Sequence, residues 1–238
     1  MIHPFESWMF AISGWLTKHE AIFLYKASRS VDLLRGDVVE IGSYKGKSTV
    51  FLALGTDHVT AIDPHKGKIS GGNESSSYYR FIMNITRARV ASRITVKKMT
   101  SERAVRLWRT PIKLLFIDGL HEYEPAKFDY THWSPFVVSG GIVAMHDAFC
   151  GWPGAGLVAK EYMLQSQDFS EIGVVGSIIF GVRGKAIGIR RVIKIFRIGV
   201  ISLCHTIYDN ASLPRWIRYV LVHKILRIFL LNKFSSLI

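Results

Sequence analysis

The strongest constraint on this chain is a rhythm. Between residues 37 and 182, short apolar runs alternate with amphipathic stretches. The runs are Asp37–Gly42 (DVVEIG), His58–Asp63 (HVTAID), Ile94–Met99, Ile112–Asp118 (IKLLFID) and Gly141–His146 (GIVAMH). Helical patterns over 46–55, 76–91, 101–108 and 123–136 separate them. A further helical segment lies near 154–165, and Gly173–Val182 supplies a final strand or hairpin. Continuous apolar runs joined by helices are strands buried on both faces, which calls for a mostly parallel sheet between two helical layers. The expected fold is therefore α/β and doubly wound, over residues 36–182. A helical segment, 1–35, precedes it, and an extension, 183–238, follows. Ligands of such sheets bind beyond the carboxyl ends of the strands, so the residues that follow each run matter most.

An apolar share of 49% with 21% charged residues excludes a disordered chain. Two cysteines, Cys150 and Cys204, exclude a disulfide scaffold and fit a reducing compartment. The N-terminal stretch has no Lys or Arg before its apolar part, and Glu6 interrupts it, so a secretory signal is not expected. No window of about 18 residues is uncharged and apolar enough to suggest a spanning helix. A cytosolic location, or the cytosolic face of a membrane, is the expectation.

The first run ends in Glu40-Ile41-Gly42-Ser43-Tyr44-Lys45-Gly46-Lys47-Ser48-Thr49. Two glycines let the backbone turn sharply against a ligand, and the helix start that follows offers free N–H groups. The second run ends in Asp63, 21 residues after Gly42, where a carboxylate suits a ribose diol. The turn and the spaced acid together point to a nucleoside ligand. A triphosphate-binding P-loop needs four residues between its glycines, and only three separate Gly42 from Gly46. The fourth run ends in Asp118-Gly119-Leu120-His121, and the fifth, after a Gly140-Gly141 turn, in His146-Asp147. Adjacent strand ends converge, so Asp118, His121, His146 and Asp147 are expected around one point.

The stretch Glu40, Gly42, Tyr44, Gly46, Ser48, with Asp63 closing the next strand, resembles the class I S-adenosylmethionine-dependent methyltransferases. It looks most like their catechol-type and macrocin-type O-methyltransferases. The resemblance covers about residues 36–182 and implies a Rossmann-like sheet. It also implies a cofactor site of Glu40, Gly42, Ser43, Tyr44, Gly46, Ser48, Asp63, Ser101 and Asp118. In it the glycines line the methionine part, Ser48 meets its carboxylate, Asp63 holds the ribose and Ser101 lies near the adenine. The metal-dependent members have an acid at the end of strand four and a ligand pair at the end of strand five, which implies Asp118, His146 and Asp147 as ligands here. Magnesium prefers oxygen donors and imidazole suits manganese or other transition metals, so His146 leaves the ion's identity open. His121 stands where catechol-type members carry a lysine base. An imidazole can accept a proton at neutral pH.

The net charge of +13 is concentrated at one end. Residues 183–238 hold eleven basic residues against one acid, Asp209, which leaves +3 for residues 1–182. On a helical wheel, 189–208 sets Arg190, Arg191, Lys194, Arg197 and His205 in one sector. Opposite lies an apolar stripe from Ile189 to Ile207, with Ile195, Ile198 and Ile201 straying from it. A second piece, 215–231, scatters its charges and carries Trp216 and Tyr219. Such a tail is expected to meet an anionic membrane surface. Packing on the body or in a homo-oligomer, and nucleic-acid binding, rank below it. Phe5–Leu16 is read as a lid, a second interfacial element or a helix packed on the sheet.

These readings combine into one expectation. The protein is a metal-assisted O-methyltransferase using S-adenosylmethionine, with His121 and Asp118 catalytic. It acts on a sugar hydroxyl of a lipid-linked or surface-glycan precursor at the cytosolic membrane face. An RNA methyltransferase and a non-catalytic membrane scaffold are the alternatives.

Overall fold

A computed structural model describes residues 5–66, 74–149, 153–209 and 212–229. Cys150, Lys233 and the end of the second tail piece (230–231) lie outside the described residues, as do residues 1–4. Seven strands form one sheet: β1 (Asp37–Ile41), β2 (Val59–Ile62), β3 (Ile94–Lys97), β4 (Ile112–Ile117), β5 (Val137–Met145), β6 (Phe169–Val175) and β7 (Ile178–Arg183). Their order is β3-β2-β1-β4-β5-β7-β6. Strands β1 to β5 run parallel, and β7 lies antiparallel to both β5 and β6. The doubly wound, mostly parallel sheet is as expected, and the final segment is a hairpin turned at Gly176 and Ser177. The chain winds outward from β1 to β3 and then restarts at β4, so the strand order reverses between β1 and β4. That reversal opens a crevice at the carboxyl ends.

Two helical layers cover the sheet. Strand residues alternate between them, as the period of two requires. Val38, Leu114, Phe116 and Ala144 face the core beneath α2 (Lys18–Ser30), α3 (Lys47–Gly55) and α4 (Glu74–Arg87). Val39, Leu115, Ile117 and Met145 face the other core, beneath α5 (Ser101–Arg106), α6 (Tyr123–Trp133) and α7 (Pro153–Val158). Short α1 (Ser7–Phe10) precedes α2. The N-terminal stretch packs: Met9, Ile12 and Leu16 are buried, and the Phe5 and Phe10 rings lie 5.2 and 5.0 Å from that of Phe51. The Gly140-Gly141 pair, expected as a turn before the fifth strand, sits inside β5. There the register slips between Ile112 and Leu114 and Gly140 takes φ +80°.

Thr17 and Glu20 start α2 with a capping box, the Thr17 side chain accepting from the Glu20 N–H and the Glu20 carboxylate from the Thr17 N–H. The tail forms α8 (Ile189–Asp209) and α9 (Arg215–Phe229), which pack against each other, α8 also packing on β6. Ile201, Cys204 and Val222 belong to the second core, so packing crosses the boundary expected at residue 183.

Candidate active site

Register alone places the site. Ile41 pairs with Ile62 on one side and Ile117 on the other, and Ile117 pairs with Met145. The next residues, Gly42, Asp63, Asp118 and His146, therefore leave four neighbouring strands along one line. Backbone bonds hold them there: the Gly42 N–H donates to Ile62 O, Asp118 N–H to Ile41 O and His146 N–H to Ile117 O, each at 2.8–2.9 Å.

Above this line opens a cavity of about 490 Å3, within the range of small-molecule sites. Of the residues expected to bind cofactor, Gly42, Ser43, Tyr44, Ser48, Asp63, Ser101 and Asp118 line it. Gly46 and Glu40 do not. Gly46 caps the start of α3 at φ +83°, beside Phe81. Its effect on the cavity is to shape the loop, with its N–H bonded to Ser43 O. Asp63 ties that loop to the second strand, one carboxylate oxygen accepting from Tyr44 N–H (2.8 Å) and the other from His65 N–H (2.6 Å). On the cavity wall, Ser43 Oγ and His65 Nε2 are buried without a hydrogen-bond partner. Buried polar atoms are nearly always paired, so these two call for a polar ligand.

Glu40 lies beneath the site, fully buried, where its carboxyl accepts from the Thr49 hydroxyl. Burial pushes its pKa up to about 8, against the pull of the Ser48 and Thr49 hydroxyls, so it is protonated at neutral pH. Unfolding releases it to the ordinary value of 4.5. The stability this shift confers is full below about 4.5 and is lost as pH rises through about 8. Glu40→Gln, isosteric with the protonated acid, should flatten the decline of Tm over that window. Parallel Tm–pH curves for variant and parent would refute the protonated reading.

At the other end, His146 is buried among three acids. Its Nδ1 lies 3.0 Å from Asp118 and 3.3 Å from Asp147, and its Nε2 lies 3.8 Å from Glu20. Burial opposes its charge, but the acids hold its pKa well above the usual 6.5. Glu20 is held at about 2 in spite of burial, by His146 and by the N–H groups of Ser177 and Thr17. His121 Nε2 lies 3.2 Å from the other carboxylate oxygen of Asp147. Asp147 itself sits at φ +59°, a strained setting for a residue with a side chain.

The grouping near a shared point differs from the expected ligand set. Asp118, His121 and Asp147 each bring a donor atom within 4.8 Å of the others. His146, expected as the third ligand, is buried beside them, and neither of its ring nitrogens has a hydrogen-bond partner. His121 thus joins Asp118 and Asp147 among the groups that could hold an ion, with His146 Nδ1 3.0 and 3.3 Å from the two carboxylates.

Two contributions, Glu20 and Asp129, escaped the sequence reading, and a third falls in the Phe5–Leu16 stretch for which a lid was one expectation. Glu20 carried a visible signal, the T-x-x-E pattern of a capping box, but its contact with His146 is tertiary. Asp129 of α6 lines the cavity, is pushed up to about 6 by burial and accepts from the Ser101 hydroxyl. No spacing rule singles it out. Ser13, Gly14, Trp15 and Leu16, from the loop before α2, form a wall, with the Trp15 ring 5.7 Å from that of Tyr44.

Comparisons with known proteins agree with this geometry. Residues 39–148 match the family described as a methyltransferase domain. Among similar solved structures is a TDP-rhamnose 3′-O-methyltransferase of calicheamicin biosynthesis, 18% identical at a TM-score of 0.53, covering 70% of this chain and 81% of that one. An O-methyltransferase from Bacillus cereus in complex with SAH is 15% identical at 0.53, covering 71% and 84%. TomG from Streptomyces achromogenes, an O-methyltransferase of tomaymycin synthesis in complex with SAM, is 15% identical at 0.53, covering 69% and 80%.

Proposed function

We propose, from the premise that this chain is a class I S-adenosylmethionine-dependent methyltransferase, that it methylates a hydroxyl oxygen and that His121 is the base. The observation that carries the proposal is the His121–Asp147 pair, 3.2 Å apart on the cavity wall beside the cofactor cleft. The cofactor fits the residues present. Asp63 retains acceptor capacity for a ribose diol, the unpaired Ser43 Oγ and the Ser48 hydroxyl suit the polar methionine end, and Ser101 with Asp129 borders the adenine end. When bound, S-adenosylmethionine supplies a methyl group already activated on sulfur. The protein's task is then alignment and proton removal. A sugar hydroxyl is a weak nucleophile at neutral pH. His121 takes its proton as the oxygen attacks, and Asp147 orients the ring and stabilises its positive charge.

The acceptor we favour is a sugar hydroxyl of a lipid-linked or surface-glycan precursor, met at the cytosolic face of a membrane. Lys45, Lys47 and Lys66 on the cavity wall suit the phosphate that such precursors carry. The neighbour acting on TDP-rhamnose supports a sugar acceptor.

A second reading rests on the same donors. Asp118, His121 and Asp147 fit a divalent ion, and one imidazole among two carboxylates suits manganese better than magnesium. An ion there would stabilise the developing alkoxide as a Lewis acid. His121 Nε2 cannot ligate and accept a proton at once, so the two readings exclude each other. Transfer of radiolabelled methyl to nucleotide-sugar and lipid-linked acceptors, with and without EDTA, separates them. EDTA-resistant transfer that His121→Ala reduces by roughly 100-fold or more supports the base. Transfer lost in EDTA and restored by Mn2+ supports the ligand. Absence of cofactor binding by calorimetry would leave a non-catalytic protein.

A further inference from the structure

Helix α8 turns outward the opposite face from the one that packing on a globular body would suggest. An amphipathic helix on a globular body ordinarily buries its apolar stripe. In α8 the buried residues include Lys194, Arg197 and His205, together with Ile201 and Cys204. Lys194 donates to the Ser166 carbonyl, and Arg197 pairs with Glu171 of β6. The stripe residues Ile189, Val192, Ile193, Phe196 and Leu203 stand between 40% and 71% exposed. On α9, Trp216 and Tyr219 are exposed at 69% and 56%. An apolar surface of this kind marks a docking site.

Charge identifies the occupant. Lys185, Arg190, Arg191 and Lys224 are exposed on these helices and their lead-in, and Asp209 is the only acid in residues 183–238. A second copy of the chain would set these cations against their own kind, whereas an anionic lipid surface answers both the charge and the apolar stripe. Trp and Tyr favour the lipid–water boundary. No described helix is long and apolar enough to cross a membrane. We propose that α8 and α9 form a membrane-docking platform: the exposed stripe of α8, with Trp216 and Tyr219, enters an anionic lipid surface, while Lys194 and Arg197 clamp α8 to the catalytic body. The proposal deepens the membrane location favoured for the enzyme. Lipid binding is measured without methyl transfer, so either can fail alone.

The test is flotation of the full chain with phosphatidylcholine vesicles, with and without phosphatidylglycerol. Parent protein should float with the anionic vesicles. Val192→Asp/Phe196→Asp/Trp216→Asp should lower partitioning by roughly tenfold or more, with cofactor affinity by calorimetry unchanged. Arg190→Gln/Arg191→Gln should weaken binding to anionic vesicles and leave binding to neutral ones unaltered. If the triple variant misfolds, brominated acyl chains give the second measurement: they should quench parent fluorescence more than that of Trp216→Phe. Three results overturn the proposal: triple-variant flotation equal to parent with no loss of quenching in Trp216→Phe; a dimer in sedimentation that the triple variant splits while vesicles stay unbound; or RNA retention in place of vesicle binding.

Discussion

Asp147→Asn should lower kcat by roughly 100- to 10,000-fold, the range a positioned base contributes, while the affinity for S-adenosylmethionine stays within a few-fold. The choice of Asn isolates the chemistry. Asp147 holds φ +59°, and Asn tolerates the left-handed region better than most residues, so the backbone can keep its turn. What disappears is the charge facing His121 at 3.2 Å and His146 at 3.3 Å. With the base reading, an amide cannot stabilise the imidazolium that His121 becomes. With the ligand reading, one of three donors is weakened. Both readings thus forecast the same loss, and the EDTA comparison tells them apart. A variant with near-parental kcat would remove Asp147 from the site under either. Cofactor affinity lost in step with kcat would mean that the change had disturbed the cleft instead.

How far the sequence revealed this site depends on which contacts are local. The strand ends were legible because each apolar run stops at the residue that leaves the sheet: Gly42, Asp63, Asp118 and His146 could be named without knowing the register. Their division of labour was not legible. Both histidines line the cavity, but His146 is the buried one, and Glu20, which bonds Ser177 and lies 3.8 Å from His146, comes from far along the chain. A Glu three residues after Thr17 reads locally as a helix cap and nothing more. Asp129 was hidden for a similar reason, since an acid in mid-helix usually faces solvent. The tail shows a different limit. A wheel reports which side of α8 is apolar but not which side meets the body. Glu171 and the Ser166 carbonyl receive the basic side, and Ile198 and Ile201, which stray from the stripe, are packed into the core. They stray because they face the body.

Gly42→Ala should be among the most damaging substitutions at the described glycines. The residue holds φ +89°, and a Cβ added to it would lie 2.0 Å from the Asp118 carbonyl oxygen and 2.5 Å from its carbon. Neither neighbour is the tip of a side chain that can swing aside. Relief requires β1 and β4 to part at their carboxyl ends, where Asp118 N–H donates to Ile41 O. Steric overlap with backbone and an unfavourable φ together cost about 3 kcal/mol or more, a large fraction of the roughly 5–15 kcal/mol that holds a domain folded. For a chain of this size that corresponds to a fall in Tm of about 6–12 °C. Cofactor affinity should fall at least tenfold in any fraction that remains folded, because the crevice between β1 and β4 is what the substitution deforms. Gly199→Ala supplies the contrast. It lies within α8 with nothing within 4 Å of the added Cβ, so it should leave cofactor affinity unchanged and raise stability by up to about 1 kcal/mol. If Gly42→Ala melted and bound cofactor as Gly199→Ala does, the close approach of β1 to β4 would not shape the cleft, and the site built upon it would have to be redrawn.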